Sequence, residues 1–207
     1  MSVWVNSIKD GLQIYGAGFI PVFLPLSILA MVHAKKLNIV KFIMNQMFFL
    51  YLCCVFALVF LPLPDMKEAA NLTYKFQLIP LHSMLDVAKR PTAFNILQVL
   101  FNVVMTIPFG MYLRYYFKMS SKKVLLLSLA FTAFIEIGQL TGLYFIFQGS
   151  YRLFDVDDLI CNTLGGMVGY AAVCKTQNSV LKVFLPELSK FDVVVNVVNP
   201  FRKGAIA

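Results

Sequence analysis

Charge is scarce in this chain: Asp, Glu, Lys and Arg make up 14% of its 207 residues, against about 25% in a soluble domain. Histidine is scarcer still. His33 lies among lysines and His82 follows Ile79-Pro-Leu81. Neither has a catalytic partner nearby in the sequence, and neither is assigned a role. No P-loop, nucleotide fingerprint or EF-hand spacing occurs. The four cysteines, Cys53, Cys54, Cys161 and Cys174, sit in or beside apolar segments. None has metal-ligand spacing to a histidine, and adjacent Cys53 and Cys54 make a poor disulfide, so all four read as small apolar residues. Only Lys9 and Asp10 lie before the first long apolar run, and no clear small-residue cleavage site follows. No cleavable signal is expected, and no metal or cofactor is called for.

What the chain does have is hydrophobic surface. Apolar residues make up 59% of it, and its mean hydropathy is +0.76. Crossing a bilayer core takes about 20 apolar residues as a helix. The runs are continuous rather than alternating, which argues against a β-barrel. Five spans are expected: Leu12–Val32, Phe42–Leu61, Ala93–Phe117, Val124–Phe147 and a shorter, glycine-rich Leu159–Val173. The fold class is therefore an all-α membrane bundle. Gly16, Gly18, Pro21 and Pro25 predict a kink or unwound turn in the first span. The transmembrane domain is read as residues 1–175, followed by a tail, 176–207. Within that tail an amphipathic stretch, Val180–Val198, is expected along the inner leaflet.

The net charge of +8 is placed around the spans and does not suggest nucleic acid. The segment between the first two spans holds Lys35, Lys36 and Lys41. The next basic segment holds Arg114, Lys118, Lys122 and Lys123. Neither contains an acid. The intervening segments are mixed or acidic. The positive-inside rule then places the N-terminus outside and the C-terminus inside, with an odd number of crossings. The apolar patch Phe76–Leu81 is too short to cross and is read as an interfacial or re-entrant piece on the outer face.

Polar residues within the spans are the candidates for function. Glu136 lies mid-span and needs a partner, a proton or water to be tolerated there. Gln139, three residues on, shares its helical face. Arg152 precedes Asp155, Asp157 and Asp158 at the entrance to the fifth span. Asp158 has the position of an N-cap or first-turn residue. Asn162 lies one turn beyond it and is read either as helix glue or as a ligand contact. Gly165 and Gly169, with Gly166 between them, have the small-xxx-small spacing of close helix packing. Gly138 and Gly142 repeat it in the fourth span, so spans four and five are expected to pack tightly. Asn102 is the best candidate in the third span for lining the same cavity.

Three motifs in order resemble the VanZ-like family: Asn102-x5-Pro108-x-Gly110, then Glu136-x2-Gln139, then Arg152-x2-Asp155-Val-Asp157-Asp158-x3-Asn162-Thr163-x-Gly165. Phe76-Gln-Leu-Ile-Pro80 is similar to that family's segment before the third span. The resemblance covers residues 75–170. It implies a multi-pass protein of the bacterial plasma membrane, associated with lowered susceptibility to lipoglycopeptides such as teicoplanin. It names a phenotype rather than a reaction. The expected partners are membrane lipids and either a cell-wall lipid precursor or the lipoglycopeptide itself. That ligand would be held in an outward-facing cavity by Asn102, Glu136, Gln139, Arg152, Asp155, Asp157, Asp158 and Asn162. The alternatives are an enzyme using a carboxylate as general acid or base and a lipid transporter or flippase.

Overall fold

The structure is a computed structural model and describes residues 2–33, 36–64, 71–150, 152–178 and 187–194. The chain divides into two compact units, residues 1–54 with 186–207, and residues 55–185. Most of the tail expected along the inner leaflet lies outside the described residues, which include only 176–178 and 187–194 of it.

In the first unit, α1 (Ser2–Gln13) leads through a π-helical stretch, Ile14–Phe19, into α2 (Ile20–His33). The break expected from the glycines is therefore a π-turn. This form keeps a hydrogen-bonded ladder while widening the helix. Pro25 is accommodated inside α2. The Tyr15 hydroxyl donates to Gln46 Oε1 at 3.0 Å, and Gln46 Nε2 donates to Ser27 Oγ at 3.3 Å. These bonds join the paired stretch to α3 (Ile39–Phe60). Two-residue strands, β1 (Lys36–Leu37) and β4 (Val193–Val194), pair antiparallel. Asn38 Nδ2 donates to the Leu188 carbonyl at 2.7 Å, and Lys41 Nζ reaches Asp192 Oδ1 at 2.9 Å.

The second unit holds the end of α3, β2 (Phe76–Gln77), α4 (His82–Lys89), α5 (Ala93–Tyr115), α6 (Ser121–Leu140), β3 (Phe154–Asp155) and α7 (Val156–Gln177). It is apolar outside and polar inside. On α6 the buried positions include Ser128, Thr132, Glu136 and Gln139, while Leu126, Phe134 and Ile137 are exposed. On α7 Asp157, Asn162 and three glycines are buried, while Leu164 and Val168 are exposed. Water would drive the reverse arrangement. A lipid environment permits this one, because lipid tails are as apolar as leucine and polar groups gain only by finding each other.

Among the described residues four helical stretches are long and apolar enough to cross a membrane: Val5–His33, Ile39–Phe60, Ala93–Tyr115 and Ser121–Leu140. The segment read as a fifth span also forms a helix and is longer than expected, at 22 residues. The fourth span is shorter than Val124–Phe147. Its helix stops at Leu140, and residues 142–145 turn left-handed, with φ between 57° and 70°. Gly142 makes the turn possible, since a Cβ there would lie 2.5 Å from the Gly149 carbonyl oxygen. The Thr141 hydroxyl then caps the turn by accepting from the Tyr144 N–H.

The glycines of α7 meet α5, not only α6. A Cβ on Gly165 would fall 2.0 Å from the Val103 carbonyl oxygen, and one on Gly169 would fall 2.2 Å from that of Ile107. The small-residue spacing therefore brings α5 and α7 together, while Gly138 instead receives the rings of Phe60 and Tyr144. Overpacking of such a contact costs about 1–3 kcal/mol. Gly169→Ala is expected to lower the melting temperature in detergent by roughly 5 °C. Gly16→Ala, where nothing lies within 4 Å, leaves it unchanged. Differential scanning fluorimetry reads both.

Candidate functional site

Helices α5, α6 and α7 meet along a seam whose polar and small residues recur every four positions. On α5 these are Asn102, Thr106 and Gly110. On α7 they are Asp158, Asn162 and Gly166. On α6, in reverse order, they are Glu136, Thr132 and Ser128. Asn102 Nδ2 donates to Asp158 Oδ1. One turn along, the Thr106 hydroxyl donates to the Asn162 carbonyl at 2.6 Å, and Asn162 Nδ2 donates to Thr132 Oγ1 at 3.0 Å. A further turn along, Gly110 and Gly166 touch backbone to backbone beside the Ser128 hydroxyl. This register runs α5 parallel to α7, with α6 antiparallel to both. Asn162 is 2% exposed, and its Oδ1 has no partner among the described residues.

At one end of the seam four carboxylates gather. Asp155 is the N-cap of α7: its Oδ1 accepts from the Asp157 N–H at 2.9 Å, and its Oδ2 accepts from the Ser83 hydroxyl at 3.0 Å. Asp157 uses both oxygens on backbone, accepting from the N–H of Leu81 at 2.5 Å and of Ser83 at 2.7 Å. The capping role anticipated near Asp158 thus falls to Asp155, and Asp157 and Asp158 occupy the first turn. Those carboxylates are favoured there by the helix dipole. Glu136, 1% exposed, accepts from the Asp155 N–H at 3.2 Å. Among the described residues Glu136 and Asp158 each accept a single hydrogen bond. No group of three or more His, Cys, Asp or Glu among the described residues is arranged to hold a metal ion.

The remaining two candidates serve another place. Gln139 Nε2 donates to the Val59 carbonyl at 2.9 Å, and Arg152 Nη2 donates to the Leu61 carbonyl at 2.8 Å. Both carbonyls belong to the end of α3, where Pro62 lacks an N–H and cannot extend the ladder. A cationic side chain is also favoured at that negative helix end. The eight candidates therefore form two neighbouring sets. Asn102, Glu136, Asp155, Asp157, Asp158 and Asn162 surround the start of α7. Gln139 and Arg152 cap α3.

Several participants were not singled out from the sequence. Thr106 and Thr132 bind the main-chain carbonyl and the Nδ2 of Asn162, and their signal was the four-residue spacing from Asn102 and Glu136. Ser83 had none, because its position depends on β2 lying parallel to β3 with Phe76 opposite Phe154 and Gln77 opposite Asp155. Ser150 links the same region, donating to the Leu140 carbonyl at 2.6 Å and accepting from the Lys75 N–H at 3.2 Å. Asn95 has a local role: its N–H donates to the N-cap hydroxyl of Thr92.

Residues 48–180, more than half of the chain, match the family described as VanZ/LLP1. No curated protein and no solved structure matches the chain.

Helix α4 buries none of its residues, so its attachment rests heavily on the Asp157 carboxylate. A hydrogen bond to a charged group contributes about 1.5–3 kcal/mol. Asp157→Ala is expected to raise amide exchange of residues 81–89 by roughly tenfold or more, whereas Lys89→Ala, at an exposed position, leaves it unchanged. Hydrogen–deuterium exchange with mass spectrometry checks this.

Proposed function

The chain belongs to the VanZ/LLP1 family, and from that premise we propose a bacterial plasma-membrane protein with five crossings, N-terminus outside and C-terminus inside. It binds a polar envelope molecule at the carboxylate end of the α5–α6–α7 seam and so lowers susceptibility to teicoplanin-type antibiotics. The fifth crossing is α7. Its average hydropathy is reduced by residues that face α5 and α6, while its outward face presents Leu164 and Val168. The orientation rests on charge: the Arg114–Lys123 turn is basic, and the Arg152–Asp158 segment carries three acids.

One observation carries the ligand reading. Asp155 and Asp157 each accept two hydrogen bonds, one on each oxygen, whereas Glu136 and Asp158 each accept one among the described residues and retain more acceptor capacity on adjoining helices. Glu136 lies in the last turn of α6 rather than mid-span, because that helix stops at Leu140, and Asp158 lies in the first turn of α7. Glu136 is nonetheless buried and Asp158 half-buried, and enclosed acids are costly unless they are used. They suit a ligand rich in N–H, ammonium or hydroxyl donors, as a cell-wall lipid precursor or a lipoglycopeptide is. Arg152 supplies the complementary contact for a phosphate or carboxylate. Asn102 and Asn162 support the pair from below, and Gln139 fixes the wall.

Two measurements test the two halves. In intact cells a membrane-impermeant maleimide is expected to label Gln148→Cys above the background of the unmodified chain. Lys122→Cys is labelled only after permeabilisation; the opposite pattern defeats the topology. For the ligand, Glu136→Gln and Arg152→Ala are each expected to return teicoplanin susceptibility to that of cells without the protein, with membrane abundance unchanged. Full protection by both variants rules the binding site out.

A further inference from the structure

Two segments at the carboxylate end expose large apolar side chains in a way the bundle does not require. The first runs through β2 to the start of α4. Phe76, Leu78, Ile79 and Leu81 are all exposed there, Ile79 by 65%. The second is the left-handed turn after α6, where Phe145 is 77% and Ile146 70% exposed. The chain that follows the turn lies against the chain that precedes the strand. Lys75 N–H donates to Ser150 Oγ at 3.2 Å, and a Cβ on Gly149 would lie 2.7 Å from the Leu72 carbonyl oxygen. The turn therefore abuts the strand.

This platform is tied directly to the carboxylates. Gln77 lies opposite Asp155, and Asp157 grips the N–H groups of Leu81 and Ser83. Burying such side chains is worth about 1.5–3 kcal/mol each, so leaving this set in water is expensive. Lys75, Lys89 and Arg90 edge it, with Asp86 among them and the buried Asp155 and Asp157 behind. Exposed apolar residues edged by charged ones are the pattern of a segment lying in a lipid headgroup layer.

We infer that this platform lies in the headgroup layer of the outer leaflet and gives the carboxylate site a lateral entrance. The ligand is then an amphiphile, anchored in the membrane by an alkyl or acyl chain, with a hydrogen-bond-donating head that reaches Glu136 and Asp158. The inference rests on the proposed site and orientation, but placement of the platform is measurable without reference to any antibiotic.

The test uses the full chain in nanodiscs containing anionic lipid, with Trp4→Phe removing the single native tryptophan and Ile79→Trp or Phe145→Trp supplying the probe. Lipids brominated near the headgroup are expected to quench both probes severalfold more than iodide does. Free access to iodide without bromolipid quenching overturns the platform. Shielding from both quenchers also overturns it, because protein then covers the surface. A second arm adds a long-chain amine bearing a nitroxide beside its ammonium group, and compares it with a short-chain, water-soluble nitroxide amine. The long-chain amine is expected to quench the Ile79→Trp chain several times more strongly when Glu136 and Asp158 are intact than when Glu136→Gln and Asp158→Asn are added. Equal quenching in the two eliminates the lateral ligand site. Quenching by the soluble amine that depends on the same two acids makes the entrance aqueous and overturns the lateral route. A failed antibiotic assay alongside positive quenching in both arms would overturn the protective role and leave the platform standing.

Discussion

A helix bearing Asp157, Asp158 and Asn162 cannot turn those residues to lipid. Each unpaired polar group there costs several kcal/mol, so α7 must be enclosed on its polar side. The rest of the second unit follows from that enclosure. α5 and α6 supply Asn102, Thr106 and Thr132 as partners at one-turn intervals. The glycines of α7 and Gly110 of α5 let backbones come close enough for those short side chains to reach. Longer partners would bridge a wider gap, but they would also blur the register. Close approach and short polar groups together fix which turn of one helix faces which turn of the next.

The same economy explains why the carboxylates are not equivalent. Asp155 and Asp157 neutralise the orphan N–H groups at two helix starts, those of α7 and α4. A charged acceptor on backbone donors is among the stronger hydrogen bonds available. Their function is architectural, and it sets the position of α4 and of the strand before it. Glu136 and Asp158 lie behind them with fewer partners. Asp155 and Asp157 thus fix the segment around the start of α7, and the less satisfied pair lies beside them. Gln139 and Arg152 do comparable work at the end of α3, where Pro62 leaves carbonyls without donors.

The polar seam also ties the candidate site to the length of the bundle. Glu136 and Asp158 occupy the first rung of a register that continues through Asn162 and Thr132 to Ser128 beside Gly166. A change at any rung shifts the helices that carry the acids. Substitutions at Gly165, Gly166 or Gly169 would therefore disturb the site without touching it, through the separation of α5 from α7.

Much was legible in the sequence because hydropathy and charge act locally. Continuous apolar runs determined the helical bundle, and the resemblance of residues 75–170 determined the family. Depth in the membrane marked Glu136 and Asn162 as residues needing partners. Gly16 and Gly18 marked the site of the π-turn. The tertiary structure decided who the partners are. That Asp157 would hold Leu81 and Ser83, more than seventy residues away, was not readable, because it depends on a parallel strand pair that only folding creates. Nor was it readable that Gly165 and Gly169 would face span three, since helical spacing names a face but not its neighbour. The early stop of α6 at Leu140 escaped a hydropathy reading for a simpler reason: Gly142 and the apolar residues after it are as compatible with a left-handed turn as with another turn of helix. Composition chose the solvent and the secondary structure, and the need of buried polar groups for partners chose the arrangement.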